Sequence, residues 1–177
     1  MVTVNGAQNK KLSQRIGIDK DFTNPRLFLF LKGASEPIAF PPKYSYNPVF
    51  FTRWLSKYTN FYYGISGTIE EFDLLAERFV AAAPSEYAAL IAEAEALSEK
   101  RLVTPNEKAN GALYLKTMRG IQKSGLGFVV AEVKRIEGLL SGPSKEMSDK
   151  KKDDMSKKLN VVYQFDRFDP AALAPEL

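Results

Sequence analysis

The chain has 177 residues, of which 45% are hydrophobic and 26% charged, and its net charge is +4. It contains no cysteine and no histidine. This composition favours a folded core and excludes disulfide bonds, thiol catalysis, histidine bases and thiolate metal sites.

The sequence also lacks the marks of membrane insertion and of cofactor binding. No apolar run approaches the roughly 20 residues that cross a bilayer. The segment Met1–Gly6 has no basic region followed by an apolar one, as a signal peptide would have. We therefore expect no membrane insertion. Since neither a metal-ligand constellation nor a glycine-rich phosphate loop is present, we also expect no cofactor and no catalytic residue.

The first sixty residues show a mixed pattern of helix and strand. Residues 9–16 predict a short helix, and the nearly continuous apolar segment 26–31 predicts a strand. A turn at 32–35 and a second strand at 36–40 complete an antiparallel hairpin. Asn47-Pro48 then predicts the N-cap and first position of a helix that ends near Tyr58.

A proline stands directly before the first of these strands. The order helix, strand, hairpin strand, helix resembles the second half of a thioredoxin fold. In that fold the corresponding proline follows a cis peptide bond, and cis bonds are essentially confined to prolines. The resemblance therefore makes Pro25 a cis-proline candidate, although the dipeptide Asn24-Pro25 alone would favour an ordinary trans bond.

The remainder of the chain predicts five amphipathic helices with no strand between Val103 and Gln164. Apolar residues recur in it at helical spacing and indicate one shared core. The predicted helices cover about 68–81, 85–100, 104–124, 128–140 and 148–165. Thr68 with Glu71, and Thr104 with Pro105 and Glu107, read as helix starts with capping boxes. Ser85 and Ser148 are the predicted N-caps of the second and fifth helices.

Scattered residues through both parts match one family. They are Phe30, Gly33, Arg53-Trp54-Leu55, Gly67, Tyr114-Leu115-Lys116, Met118, Glu132, Arg135-Ile136, Met147-Ser148-Asp149, Lys151 and Leu159-Asn160. With them the chain resembles the redox-inactive thioredoxin-like chaperones of the endoplasmic reticulum, the Windbeutel type. The helical part is similar to their C-terminal D-domain, which some disulfide isomerases also carry.

The resemblance implies an α+β protein with three parts. Residues 1–63 would be the second half of a truncated thioredoxin-like α/β domain, 64–166 an all-α five-helix D-domain bundle, and 167–177 a flexible tail. The first βαβ unit and the signal peptide would precede Met1, so we expect a fragment of a lumenal protein. The final Glu176-Leu177 is all that the chain shares with a Lys-Asp-Glu-Leu retrieval signal.

The implied function is that of a non-enzymatic chaperone or escort factor of the endoplasmic reticulum lumen. Its partners would be unfolded or partly folded secretory proteins, bound reversibly, and the complete protein could form a homodimer. Five aromatic residues are candidate client contacts, unless they pack inside the protein. They are Tyr44, Tyr46, Phe61, Tyr62 and Tyr63. The resemblance, rather than any geometry, adds Tyr114 and Arg135.

Two other functions remain open at this stage. The chain could be a fragment of a D-domain disulfide isomerase whose CxxC motif lies upstream of Met1. Alternatively, the lysines between Lys145 and Lys158 could bind nucleic acid. Acidic residues interleave with these lysines and cancel most of their field, so we expect no nucleic-acid partner.

Overall fold

The computed structural model describes residues 8–18, 26–41, 44, 47–142 and 147–167. The helices and strands of these residues are given in chain order. They are α1 (Lys10–Arg15), β1 (Phe28–Leu29), β2 (Ile38–Ala39), α2 (Pro48–Thr59), α3 (Glu70–Ala81), a 3-10 turn (Pro84–Glu86), α4 (Tyr87–Arg101), α5 (Pro105–Ser124), α6 (Gly127–Ser141) and α7 (Asp149–Gln164). The described residues form two compact units, one before Asn47 and one from Asn47 onward.

The first unit is a small hairpin with one short helix. β1 and β2 pair antiparallel, with Phe28 opposite Ala39 and Leu29 opposite Ile38, which confirms the predicted hairpin. Each strand has two residues and is therefore shorter than predicted. A two-stranded ladder is marginally stable by itself, because no third strand holds its ends. The cis-proline candidate Pro25 lies outside the described residues.

The second unit is helical, and the five predicted helices correspond to α3 through α7. Between Val103 and Gln164 the described residues contain no strand, as the periodicity predicts. The α+β class with a five-helix D-domain bundle is thus confirmed. Of the predicted tail 167–177, only Arg167 lies within the described residues. No helix in the described part of the chain is long and apolar enough to span a membrane.

Helix caps explain where the sequence prediction succeeds. At the start of α5, Glu107 N–H donates to Thr104 Oγ1 over 3.2 Å. In return, Thr104 N–H donates to Glu107 Oε2 over 2.8 Å. This is the predicted capping box, with Pro105 at the first helical position. Ser148 likewise caps α7, accepting from Lys151 N–H.

Two predicted caps are wrong. Thr68 does not cap α3, which begins at Glu70 after Ile69. The Thr68 hydroxyl instead donates to Ile65 O and accepts from Ile65 N–H, a local turn that competes with capping. Ser85 lies inside the 3-10 turn that precedes α4 and caps no helix.

One continuous core joins the helices of the second unit. Its fully buried side chains come from all five helices α3 to α7 and from Phe165, which directly follows α7. The largest of them are Phe72, Phe79, Tyr114, Met118, Ile121, Ile136, Val161, Val162 and Phe165. Gly111 lets α5 approach Leu102 closely, since a Cβ at this glycine would stand 2.3 Å from Leu102 Cδ1. The core therefore depends on a small residue at the contact between α5 and the end of α4.

Helix α2 packs with this bundle. The rings of Phe50 and Tyr163 meet edge to face, with centroids 5.4 Å apart. Arg53 Nη1 donates to the carbonyl oxygens of Tyr163 and Asp166, each over 3.1 Å. The division between residues 63 and 64 stays a prediction about family domains, whereas in the folded chain the helical unit begins at Asn47.

Candidate functional site

The aromatic candidates of the sequence separate into accessible and buried side chains. Phe61, Tyr62 and Tyr63 lie in the segment that follows α2, with 69%, 37% and 37% of their surfaces exposed. Tyr44 is buried in the first unit, so it offers no surface to a partner. Tyr46 lies outside the described residues. We call Phe61–Gly64 the aromatic connector.

The backbone of the aromatic connector is held at its start by α2. Asn60 ends the helix in a left-handed conformation, with φ of 56°, which turns the chain out of α2. Tyr63 N–H then donates to Ser56 Oγ over 3.2 Å. The Tyr63 hydroxyl lies 3.4 Å from Thr59 Oγ1. The exposed aromatic rings are therefore carried by a backbone that is anchored to a helix.

Beyond the connector, the chain is fixed to α7. Asn160 Nδ2 donates to Ser66 O over 2.9 Å. Gly67 has a φ of 93°, and a Cβ at this position would stand 2.8 Å from Lys157 Cβ. Glycine is required there both by the positive φ and by this close approach. Gly67 and Asn160 belong to the resemblance, and the structure shows what both do.

Tyr62 folds back onto the start of α3. Its hydroxyl donates to Asp73 Oδ2 over 2.8 Å and lies 2.9 Å from Thr68 Oγ1. The ring rests beside Gly64, where a Cβ would stand 2.7 Å from Tyr62 Cε1. Burial, followed by the Asp73 charge, raises the pKa of Tyr62. Tyr62 therefore presents part of its ring to solvent while its hydroxyl is engaged.

Asp73 also accepts a hydrogen bond from Tyr114 on α5, through Oδ1. The Tyr114 hydroxyl in turn accepts from Ile69 N–H over 3.1 Å. Burial raises the pKa of Asp73 to about 6, although both tyrosine hydroxyls act in the opposite direction. Acidic residues are common in the first turn of a helix. The sequence therefore did not indicate a special role for Asp73.

The structure corrects the role expected for Tyr114. Its side chain is completely buried, and its ring packs against Phe72 with centroids 5.2 Å apart. Burial, and then the Asp73 charge, raises the pKa of Tyr114 well above its ordinary value. A client cannot reach this ring in the folded protein. Tyr114 joins α5 to the beginning of α3, and its match to the family reflects a core position.

Arg135 is accessible but belongs to a separate ionic network. Its Nε and Nη2 donate to the two oxygens of Glu132, over 2.8 and 2.9 Å. Lys158 of α7 donates to the same carboxylate. The hydrogen bond from Arg135 is the main cause that lowers the pKa of Glu132 to about 2, and Lys158 adds to it. The hydrogen bond from Lys158 to Glu132 fastens α7 to α6.

The arrangement can bind a partner without covalent chemistry. Across the described residues, no group of three or more acidic side chains stands close enough together to hold a metal ion. The accessible feature is the set of aromatic rings on an anchored backbone. Such rings offer large apolar contact surfaces with little conformational entropy to lose on binding.

Comparisons with known proteins place the helical unit in a family. Residues 67–165 match the family described as endoplasmic reticulum protein ERp29, C-terminal domain. The chain is 30% identical over 169 residues to protein windbeutel of Drosophila melanogaster, covering 96% of this chain and 64% of windbeutel. It is 35% identical over 101 residues to protein disulfide-isomerase 1 of Dictyostelium discoideum, covering 56% of this chain and 26% of that isomerase. The chain thus spans less than two thirds of either relative.

Proposed function

This chain belongs to the family of the endoplasmic reticulum protein ERp29 C-terminal domain, and on that premise we propose that it is a non-enzymatic chaperone or escort factor. The family that the scattered residues indicate is confirmed, and it is a family of endoplasmic reticulum proteins. The proposal adds the lumenal location, the chaperone role and the clients. The clients are unfolded or partly folded secretory proteins.

The aromatic connector carries this proposal. Phe61 keeps 69% of its surface exposed, although folding generally buries large aromatic side chains. Two further partly exposed rings, those of Tyr62 and Tyr63, follow directly. A contiguous exposed apolar group of this kind is typical of a surface that binds a partner.

The mechanism is reversible packing of an exposed client segment against these rings. Because the connector is anchored at Ser56 and at Asn160, little backbone ordering accompanies binding. The chain has no cysteine, so its own residues form no mixed disulfide with a client. Binding and release therefore follow the client's own exposure and folding.

Phe61→Ser tests this role with a matched control at Val103. Val103 is 79% exposed in the loop between α4 and α5, away from the connector in sequence. We expect Phe61→Ser to weaken binding to a permanently unfolded, carboxymethylated secretory protein by about tenfold, as the loss of one apolar anchor implies. Val103→Ser should bind like the unaltered chain. Equal binding by all three proteins would contradict the proposal.

The isomerase alternative has less support. The likeness to protein disulfide-isomerase 1 covers 56% of this chain and 26% of that protein, whereas the likeness to windbeutel covers 96% of this chain and 64% of windbeutel. Thiol–disulfide exchange requires a thiolate, which in this alternative would come from a CxxC motif upstream of Met1. The homodimer of the complete protein stays a prediction, and sedimentation of that protein measures it.

A further inference from the structure

Asp73 joins two tyrosine hydroxyls of opposite accessibility. Tyr114 reaches Oδ1 from the core, where its side chain has no exposed surface. Tyr62 reaches Oδ2 from the protein surface, with 37% of its own surface exposed. The contact with Tyr114 is permanent as long as α3 and α5 stay packed. The contact with Tyr62 can be broken by the movement of one side chain.

The carboxylate of Asp73 lacks a direct cation. Among the ion pairs between described residues, none includes it. Arg53 of α2 favours its charge from a longer distance, and Glu70 of α3 opposes it. Apart from these groups, Tyr62 and Tyr114 are the titratable residues that act on it. A carboxylate shielded from water without an ion pair favours its neutral form.

The Tyr62 ring lies against Gly64, where a larger residue would displace it. The φ of Gly64 lies outside the left-handed region, so its backbone tolerates a side chain. A Cβ there would nevertheless collide with the Tyr62 ring, at 2.7 Å from Cε1 and 3.2 Å from Cζ. The three heavy atoms nearest to that Cβ all belong to Tyr62. Gly64→Ala is therefore a way to displace Tyr62 without touching Asp73.

We propose that the protonation state of Asp73 controls how firmly Tyr62 is held beside Gly64, so that the connector opens more at acidic pH than at neutral pH. When Asp73 is ionised, the Tyr62 hydroxyl donates to the charged Oδ2, and a hydrogen bond to a charged acceptor is stronger than one to a neutral group. When Asp73 is neutral, this hydrogen bond weakens and the Tyr62 ring is held less firmly beside Gly64.

Movement of Tyr62 away from Gly64 would regulate the client surface, a consequence that rests on the proposed function. A tyrosine ring that leaves Gly64 exposes more apolar area next to Phe61 and Tyr63. Clients would then bind more tightly at acidic pH and dissociate as the pH rises to neutral. The link between Asp73 and Tyr62 is itself independent of any client.

Titration of the Asp73 side-chain carboxyl by carbon NMR tests the link directly. With Tyr62 seated, we expect the Asp73 pKa near 6, compared with an ordinary value of 3.8. In Tyr62→Phe the ring still covers the carboxylate but donates no hydrogen bond to it, so the pKa should rise by about one unit. A matched control is Gly138→Ala, where a Cβ would meet nothing within 4 Å. Equal pKa values in all three proteins would overturn the proposal.

Hydrogen exchange of the connector amides tests the direction. After correction for intrinsic exchange, linkage predicts that opening decreases about tenfold between about pH 5 and about pH 7.5, whereas Gly64→Ala should hold the connector open throughout this range. Asp73→Asn should abolish this dependence. Tyr62→Phe, which keeps Asp73 and lacks the hydroxyl, should also abolish it and serves if Asp73→Asn fails to fold. A dependence that persists in either variant would overturn the proposal. Neither readout involves a client. Failure of client binding would therefore refute only the proposed function and not the link between Asp73 and Tyr62.

Discussion

Arg53 of α2 closes the end of α7 by donating from Nη1 to the carbonyl oxygen of Tyr163, 3.1 Å away. The same nitrogen donates to Asp166 O. Carbonyls in the last turn of a helix lack partners within the helix, and a cation there also opposes the negative end of the helix dipole. Arg53 therefore acts as a cap supplied by another helix. The stability of α7 depends on α2 being present.

Replacement of Arg53 should reveal this dependence. We expect Arg53→Ala to lower the free energy of unfolding by about 1–3 kcal/mol, because carbonyl oxygens lose a charged donor. Lys57→Ala, at an exposed position on the same helix, should change it by less than about 0.5 kcal/mol. Urea unfolding measures both variants. Equal stabilities would show that the contact between Arg53 and Tyr163 contributes nothing.

Two glycines in helices should respond to alanine in opposite ways. At Gly111 a Cβ would stand 2.3 Å from Leu102 Cδ1, whose side chain is buried. Overpacking of this kind costs about 1–3 kcal/mol and outweighs the helix propensity gained. At Gly138 nothing lies within 4 Å of the added carbon, so Gly138→Ala should stabilise the protein by about 0.5–1 kcal/mol. Thermal unfolding that shifts both variants in the same direction would contradict this packing.

The network at Glu132 should make stability fall in acid. Its pKa is about 2 in the folded protein, compared with an ordinary value of 4.5. A lowered folded pKa means that the stabilisation is complete above about pH 4.5 and is lost as the pH falls through about 2. Glu132→Gln should therefore be less stable than the unaltered chain at neutral pH by about 2 kcal/mol, because Lys158 and Arg135 lose their carboxylate.

The difference between the two proteins should shrink as the pH approaches 2. Unfolding free energies at several pH values measure it, with Glu99→Gln at an exposed position of α4 as the control. A difference that stays constant from neutral to strongly acidic pH would contradict the ionic origin. So would an equal response in the Glu99 control.

Thr104 and Ser85 were both predicted to be helix N-caps, but their replacement by alanine should affect stability differently. Thr104→Ala removes the acceptor of Glu107 N–H at the start of α5 and should cost about 1 kcal/mol. Ser85→Ala alters a residue that lies within the 3-10 turn and caps no helix, so it should change stability by less than about 0.5 kcal/mol. Denaturant midpoints compare the two. Equal losses would mean that Ser85 caps α4 in solution.

The sequence predicts the helices well because their signals are local. The start of α5 depends on Thr104, Pro105 and Glu107, which stand within four consecutive positions. The caps at Thr68 and Ser85 were wrong for the same reason. A serine or threonine hydroxyl can satisfy a turn as easily as a helix end, and local sequence does not decide between them.

The candidate site was predicted only in part because its decisive contacts are long-range. Phe61, Tyr62 and Tyr63 were identified as accessible aromatics, and the structure leaves them exposed. Asp73 was missed, since its partner Tyr114 lies 41 residues away in the chain. The resemblance made Tyr114 a candidate client contact, whereas the structure buries its side chain completely.

Site-directed photo-crosslinking in secretory cells tests the central claim most directly. A benzoylphenylalanine at position 61 should crosslink to newly made secretory proteins in the endoplasmic reticulum. The same group at position 103, which is also highly exposed, should crosslink to few or none. Crosslinks that are equally frequent at both positions, or absent from position 61, would contradict a client-binding role for the aromatic connector.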